Sequence, residues 1–423
     1  MSEWKECRLG DVCRYVCSGG TPKSSVSSYY EGGTIPWLNT KEIHGDQIFQ
    51  TERFITEEGL NNSSAKWIKA NCVVVAMYGA TAGQVAVVKI PVTTNQACCN
   101  LEIDDNKADY RFVFYALRQS YKSLSGLANG GAQQNLNAQI IKDYKISFPP
   151  LPTQRKIAAV LGALDDKIEL NRKMNATLEQ MAQALFKSWF VDFKPFGVER
   201  KNVDGRQIPV ELELMQIGQL NPTLETGKRP KGGASTSGVP SVGAESVKHL
   251  GDFDYSATKF VPEEFAAKMV RGKINGYEVL LYKDGGKPGT FIPHFSMFGE
   301  EFPYADFYIN EHVFKLDAGS RERNVFLLFN LQTDINVHWF ESCGAKAAVP
   351  GINQSNVFDA WVFNPDQPKA KEYSATVLPM VTKILRNCRQ NRTLAQLRDA
   401  LLPKLMSGEL DAERVKLPAE AVA

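Results

Sequence analysis

This chain answers itself at an offset of about half its length, and self-similarity on that scale means a repeated structural unit. Residues 171–178 read NRKMNATL and residues 387–394 read NCRQNRTL, so Asn-x-x-x-Asn-x-Thr-Leu returns at an offset of 216. Upstream, GGAQQNLNAQIIKDYKISFPP (130–150) answers VPGINQSNVFDAWVFNP (349–365), with Asn137 on Asn353 and Asp143 on Asp359. GGTIPWLNTKEI (32–43) answers TSGVPSVGAESV (236–247), YGATAG (78–83) answers DGGKPG (284–289), and Asn95 falls on Asn310. The offset drifts between 204 and 216 across these pieces. That drift means two similar domains that differ in loop length.

Each half reads as a mixed domain followed by a long helix. In residues 1–150, short apolar runs such as NCVVVAMYG and QVAVVKIPV alternate with Gly/Ser/Thr-rich turns, and one helical stretch lies near 110–124. Residues 216–366 look alike in GYEVLLYKDGG and NEHVFKLDA, with a helix expected around 322–331. Residues 151–191 and 367–410 are the two spacer helices. Residues 192–215 read as a linker, because DFKP stops the helix and ERKNVDGRQ carries no period, and 411–423 as a frayed tail. The fold class is α+β, with two similar mixed α/β domains separated by two long antiparallel coiled-coil helices in a pseudo-two-fold repeat.

The helices carry a heptad. Ile157, Leu161, Leu164, Ile168, Asn171, Asn175, Leu178, Ala182, Leu185 and Trp189 follow one another at spacings of four and three, the a/d seam of a coiled coil. At the 216 offset the second seam is Tyr373, Val377, Met380, Ile384, Asn387, Asn391, Leu394, Arg398, Leu401 and Leu405. Residues 157–189 make a rod of about 50 Å at about 1.5 Å per residue. Pro379 predicts a kink or a late start in the second helix. A buried Asn costs stability unless a polar group meets it, so two per seam fix register. The two Asn lie symmetrically about the middle of the first seam. Parallel pairing at the same offset would also bury Asn against Asn, but the favoured antiparallel pairing sets Asn171 on Asn391, Asn175 on Asn387, Trp189 on Tyr373, and Leu164 on Arg398, a mismatch tolerable if the guanidinium snorkels outward. The expected result is a spacer with one domain at each end.

Composition removes other classes. Lys+Arg 49 against Asp+Glu 47 gives a net +2, so no global field advertises a charged partner. Residues 1–150 carry 15 basic and 14 acidic side chains and 201–367 carry 16 and 21, whereas 151–200 carry 8 and 6 and 368–423 carry 10 and 6. The eight cysteines include no C-x-x-C and read as reduced thiols of a cytoplasmic protein, and the longest apolar run, 73–77, is too short for a membrane span. The five His show no metal spacing, no phosphate loop or methyltransferase Asn/Asp-Pro-Pro-aromatic stretch is present, and Asp104-Asp105 and Asp165-Asp166 read as solvated surface. No catalytic or metal residue is expected.

The strings PPLPTQRKIAAVLGALDDKIELNRKMNATLEQMAQALFKSWFVDF (149–193), LRDALLPKLMSGEL (397–410) and SGGTPK (18–23) resemble the specificity subunit of a type I restriction-modification system. The resemblance covers essentially the whole chain. It implies a non-catalytic subunit that reads a bipartite, asymmetric double-stranded DNA target, one half per target-recognition domain. It also implies two methyltransferase subunits that hold S-adenosylmethionine and, in a full complex, restriction and translocase subunits, with the helices as spacer and docking surface. The alternative is a non-catalytic coiled-coil scaffold whose domains bind protein.

Readers should come from polar or basic loop residues beside glycines, where the backbone can approach phosphates and base edges. In the first domain these are Thr21, Lys23, Lys41, Tyr78, Thr81, Gln133, Gln134 and Asn135. In the second they are Lys228, Arg229, Lys231, Lys287, Lys346, Asn353 and Gln354. TGKRPKGG (226–233) stands out, because three cations among glycines repel one another unless a phosphate relieves them.

Overall fold

The computed structural model describes residues 4–129, 135–346 and 349–417. It divides into two compact units, Met1–Lys167 with Leu394–Ala423, and Ile168–Thr393. Among the described residues no helix is long and apolar enough to cross a membrane.

The strands Val73–Ala76 and Val85–Val88 show how the apolar runs fold. Every residue in both is buried. Because side chains alternate across a strand, Val73, Val75, Val85 and Val87 enter one core with Leu101, Phe112 and Leu117. Val74, Ala76, Ala86 and Val88 enter a second core on the opposite face with Leu38 and Ile43. A sheet covered on both faces needs unbroken apolar runs, and the sequence supplies them. In the second unit, Val279, Leu281, Phe295 and Met297 join one core and Leu280 and Phe298 the other.

The repeat extends to strand order. In the first unit Cys13–Ser18, Cys98–Ile103, Val73–Ala76 and Val85–Val88 lie side by side, with Gln47–Ile48 added at the edge. In the second, Thr223–Thr226, Val313–Asp317, Val279–Tyr282 and Phe295–Met297 take the same order. Each unit has a further sheet with one parallel pair, Ile35–Leu38 beside Val92–Thr94 and Val239–Val242 beside Tyr308–Ile309. Each also closes with a short antiparallel pair, Lys5–Arg8 with Lys145–Phe148 and Leu214–Gln216 with Trp361–Phe363. Asn137 and Asn353, matched in the sequence, cap the equivalent helices Ala138–Asp143 and Gln354–Phe358.

The two long helices are Leu151–Phe186, continued by a π-helical turn Lys187–Val191, and Pro368–Met406. Their seams run antiparallel. In the second unit Asn171 Nδ2 donates to Asn391 Oδ1 at 2.9 Å and to Gln390 Oε1 at 2.7 Å. Asn387 Nδ2 donates to Asn175 Oδ1 at 2.8 Å, and the Trp189 and Tyr373 rings lie 6.4 Å apart. Leu178 and Leu185 pack on the core that holds Val377 and Ile384. In the first unit Ile157 and Leu161 share a core with Leu402 and Leu405, against which Leu401 packs. Leu164, Ile168 and Leu394 are buried as well.

Several expectations are corrected. Arg398 does not snorkel: it is buried and pairs with Asp165 Oδ1 at 2.5 Å, while its Nε reaches Asp399 at 2.9 Å. Asp165 therefore faces the core and accepts from the Tyr115 hydroxyl at 2.6 Å, whereas Asp166 pairs with Arg111 at 2.9 Å nearer the surface. A cation at a seam position stays inside when a buried carboxylate answers it. Pro379 neither delays nor ends its helix, which begins with Pro368, where the missing N–H costs nothing. The 192–215 stretch holds a hairpin, Arg200–Val203 with Arg206–Pro209, turned by Asp204 and Gly205 at positive φ. Of the expected tail, Ala412–Arg414 form a short 3-10 turn with Ala412 buried in the first core, while 418–423 lie outside the described residues. The helix expected at 110–124 is two helices, Tyr110–Gln119 and Tyr121–Asn129.

Candidate nucleic-acid interface

The candidate loops meet at one end of the main sheet in each unit. In the first, Cys99 pairs with Ser18 and Cys98 with Ala76, so the exit of Cys13–Ser18, the entry to Cys98–Ile103 and the exit of Val73–Ala76 lie together. Gly20 N donates to Thr94 O at 2.8 Å, Met77 N to Ala97 O at 2.8 Å and Leu136 N to Met77 O at 3.0 Å. Asn95 N donates to Leu38 O at 3.0 Å, bringing the turn Thr40–Glu42 with Lys41 to the same connection. Thr21, Lys23, Lys41, Tyr78, Thr81 and Asn135 thus converge around 94–97, and all but half-buried Thr81 are exposed. Gln133 and Gln134 lie outside the described residues.

Gly19 shows why glycine is required here. A Cβ on it would lie 2.1 Å from the Thr94 carbonyl oxygen, so only a bare backbone lets the loop close onto its neighbour. Gly227 has the same place in the second unit, where a Cβ would lie 1.6 Å from Ile309 O.

The second unit repeats the arrangement. Gly227 N donates to Asn310 O at 3.1 Å, and Asn310 N to Val242 O at 2.9 Å. Lys283 N donates to His312 O at 3.0 Å, Ile352 N to Lys283 O at 2.8 Å and Gly285 N to Pro350 O at 2.9 Å. The loops with Lys228, Arg229 and Lys231, with Lys287, and with Asn353 and Gln354 therefore converge. Lys346 lies two residues beyond Gly344, whose carbonyl accepts from Gly351 at 3.0 Å. Asn353 is partly committed already: its side chain accepts from Asn356 N at 3.0 Å in a capping box.

The charges in this loop cluster are not equivalent. Lys228 and Lys231 are exposed and make no ion pair among the described residues, but Arg229 Nε pairs with Glu311 Oε1 at 2.9 Å. Only two of the three cations of TGKRPKGG still repel without relief. Below the loop, Lys315 pairs with Glu225 at 2.8 Å, and Glu225 also accepts from Gly272 N at 2.9 Å. Burial works against the Glu225 carboxylate, yet Lys315 and that N–H hold it below its ordinary range. Burial first, and then the Asp284 carboxylate, hold the Tyr282 phenol above its own.

The sequence reading missed Gln96, Lys283, Asp284, Glu311 and His312. The signal was present: Asn95 and Asn310 were already matched, and Gln96 and Glu311 are the next residues.

Residues 1–180 match the family described as type I restriction modification DNA specificity domain. The MjaIX specificity subunit of Methanocaldococcus jannaschii is 27% identical over 423 residues, covering 98% of this chain and 95% of the relative. The HindI specificity subunit of Haemophilus influenzae is 28% identical over 225 residues, 51% of this chain and 47% of that one. The S subunit of a type I restriction-modification system from M. genitalium shares the fold at a TM-score of 0.55 and 17% identity, covering 96% of both chains.

Proposed function

We propose that the chain is the DNA-reading subunit of a type I restriction-modification complex, each domain reading one half of a bipartite, asymmetric duplex target. The observation that carries this is the repeated convergence of glycine-pinned polar loops at the equivalent sheet end of both units. Base readout needs directional polar groups on rigid supports, and both ends supply them. Neither domain is a basic reader, with 15 basic against 14 acidic side chains in residues 1–150 and 16 against 21 in 201–367, which supports a subunit that contributes readout while its partners contribute much of the phosphate attraction.

In this reading the domains are residues 1–150 and 216–366, and the paired helices serve as spacer and as docking surface for two methyltransferase subunits. Restriction and translocase subunits would join in the full complex. The chain performs no chemistry: S-adenosylmethionine is held by the methyltransferase subunits, which modify adenine. The test is to assay methyl transfer to duplex DNA by the purified chain, by its methyltransferase partner, and by the two together. Adenine methylation by the mixture alone is expected; turnover by the isolated chain would overturn the assignment.

A further inference from the structure

The two loop clusters are alike residue by residue. Asn95 N reaches the last residue of Ile35–Leu38, as Asn310 N reaches the last residue of Val239–Val242. Asn95 Oδ1 accepts from the backbone N–H two residues on at 3.2 Å, as Asn310 Oδ1 does at 2.9 Å. Gly19 and Gly227 close on these two turns. Gln96 is therefore the counterpart of Glu311, and Thr21, two residues past Gly19, is the counterpart of Arg229. The counterparts touch in both units: Thr21 Oγ1 donates to Gln96 Oε1, and Arg229 Nε pairs with Glu311 Oε1 at 2.9 Å. One geometry carries two chemistries, uncharged in the first unit and ionic in the second.

We infer that this clamped pair is a specificity-determining position of each domain, with Arg229 reading a guanine in the second half-site. Glu311 meets the side chain at Nε, and among the described residues the two terminal nitrogens make no hydrogen bond, so they remain as a fork on a side chain 39% exposed. An arginine whose charge already faces a carboxylate gains little from a phosphate, but its N–H directions are undiminished. A guanine presents O6 and N7 as two acceptors that match such a fork in the major groove. Lys228 and Lys231, without such a partner, are the phosphate ligands of the loop. Aim is supplied from behind: His312 Nε2 lies 3.2 Å from Glu311 Oε1, and His312 Nδ1 bonds Asp284. Lys283 Nζ lies 3.4 Å from Asp284 and donates to Glu311 O at 3.0 Å. Glu311, His312 and Asp284 are thus positioning residues. Arg229 is rooted two residues from Gly227, whose backbone bond fixes the loop.

This inference rests on the DNA-reading function, and one experiment separates the two. The full chain, assembled with its methyltransferase subunits, methylates a library of duplexes with randomised targets, and the modified duplexes are sequenced. Arg229→Gln should lower the preference for one guanine in one half-site about tenfold, the scale of one lost bidentate contact, and leave the other half-site unchanged. Glu311→Ala and His312→Ala should lower the same preference less, with Glu311→Gln, which keeps an acceptor for Nε, recovering part of it. Lys228→Gln with Lys231→Gln should instead weaken all sequences alike and flatten the salt dependence. Thr21→Arg with Gln96→Glu should import a guanine preference into the first half-site. A wild-type library without a split consensus overturns the DNA-reading function itself. A split consensus that Arg229→Gln leaves intact, or weakens uniformly with a shallower salt slope, overturns this inference alone.

Discussion

Replacing Asp165 by Ala should be among the most damaging single changes in the first unit, although sequence reading treats Asp165 as surface. The side chains of Arg398 and Asp165 are only 8% and 10% exposed, and their contact is 2.5 Å. Removing the carboxylate leaves a guanidinium in the seam with only Asp399, itself 55% exposed, to answer it. Stranding a buried charge costs about 3–5 kcal/mol, and the remaining Asp399 contact argues for the lower end. The Tyr115 hydroxyl also loses its acceptor. Burial, and then Asp165, hold that phenol well above its ordinary range, so it stays a donor that now lacks a partner. An unmade buried bond adds about 1–3 kcal/mol, for a total of about 4 kcal/mol. Removing both charges with Asp165→Leu and Arg398→Leu should cost within about 1 kcal/mol of nothing, since apolar replacement of a buried pair is often neutral. The assay is urea unfolding of the full chain, followed by hydrogen exchange in peptides spanning 151–167 and 397–405. A cost below about 1 kcal/mol for Asp165→Ala, or a double variant as unstable as the two singles added together, would refute the buried-pair reasoning.

Other outcomes follow from the same geometry. Asn387→Ala removes the 2.8 Å bond to Asn175 Oδ1 and should cost about 1–3 kcal/mol in the second unit, measured by urea titration; an unchanged midpoint would mean that the seam amides contribute nothing. Gly19→Ala and Gly227→Ala force a Cβ to 2.1 Å and 1.6 Å from a carbonyl oxygen, so each should abolish recognition of one half-site in the library assay while sparing the other. Burial pushes the Cys72 thiol up to about 11 and the Cys99 thiol up to about 12. Since the thiolate is the nucleophile, both should resist alkylation at pH 8 until urea unfolds the chain; rapid native labelling of either would contradict their burial.

The repeat made much of this fold legible before any coordinates. Asn171, Asn175, Asn387 and Asn391 marked where the two seams must meet because a polar group in an apolar seam has few ways to be satisfied; parallel pairing would have met that need too, and the bonds Asn171–Asn391 and Asn387–Asn175 are what make the direction antiparallel. The loop candidates were legible as a class for a similar reason: glycine beside polar residues marks backbone that must pass close to something. What the sequence concealed was pairing at a distance. Asp165 lies far along the chain from Arg398, and a heptad pattern records only which residues face inward, not which carboxylate meets a buried cation. The hairpin at 200–209 was missed for a more local reason. Its Asp204-Gly205 turn signal was present, but the flanking polar residues hid a strand pair whose apolar side is limited to residues such as Ile208 and Pro209. Gln96 and Glu311 escaped because neither stands beside a glycine, the mark that singled out the other loop residues.

The most direct test of the central claim is the consensus obtained when the wild-type chain, assembled with its methyltransferase subunits, modifies duplexes of random sequence. Two unlike half-sites separated by a fixed gap are predicted. A single uninterrupted consensus, two half-sites at a variable gap, or modification without sequence preference would contradict the account, the last of these favouring a protein-binding scaffold.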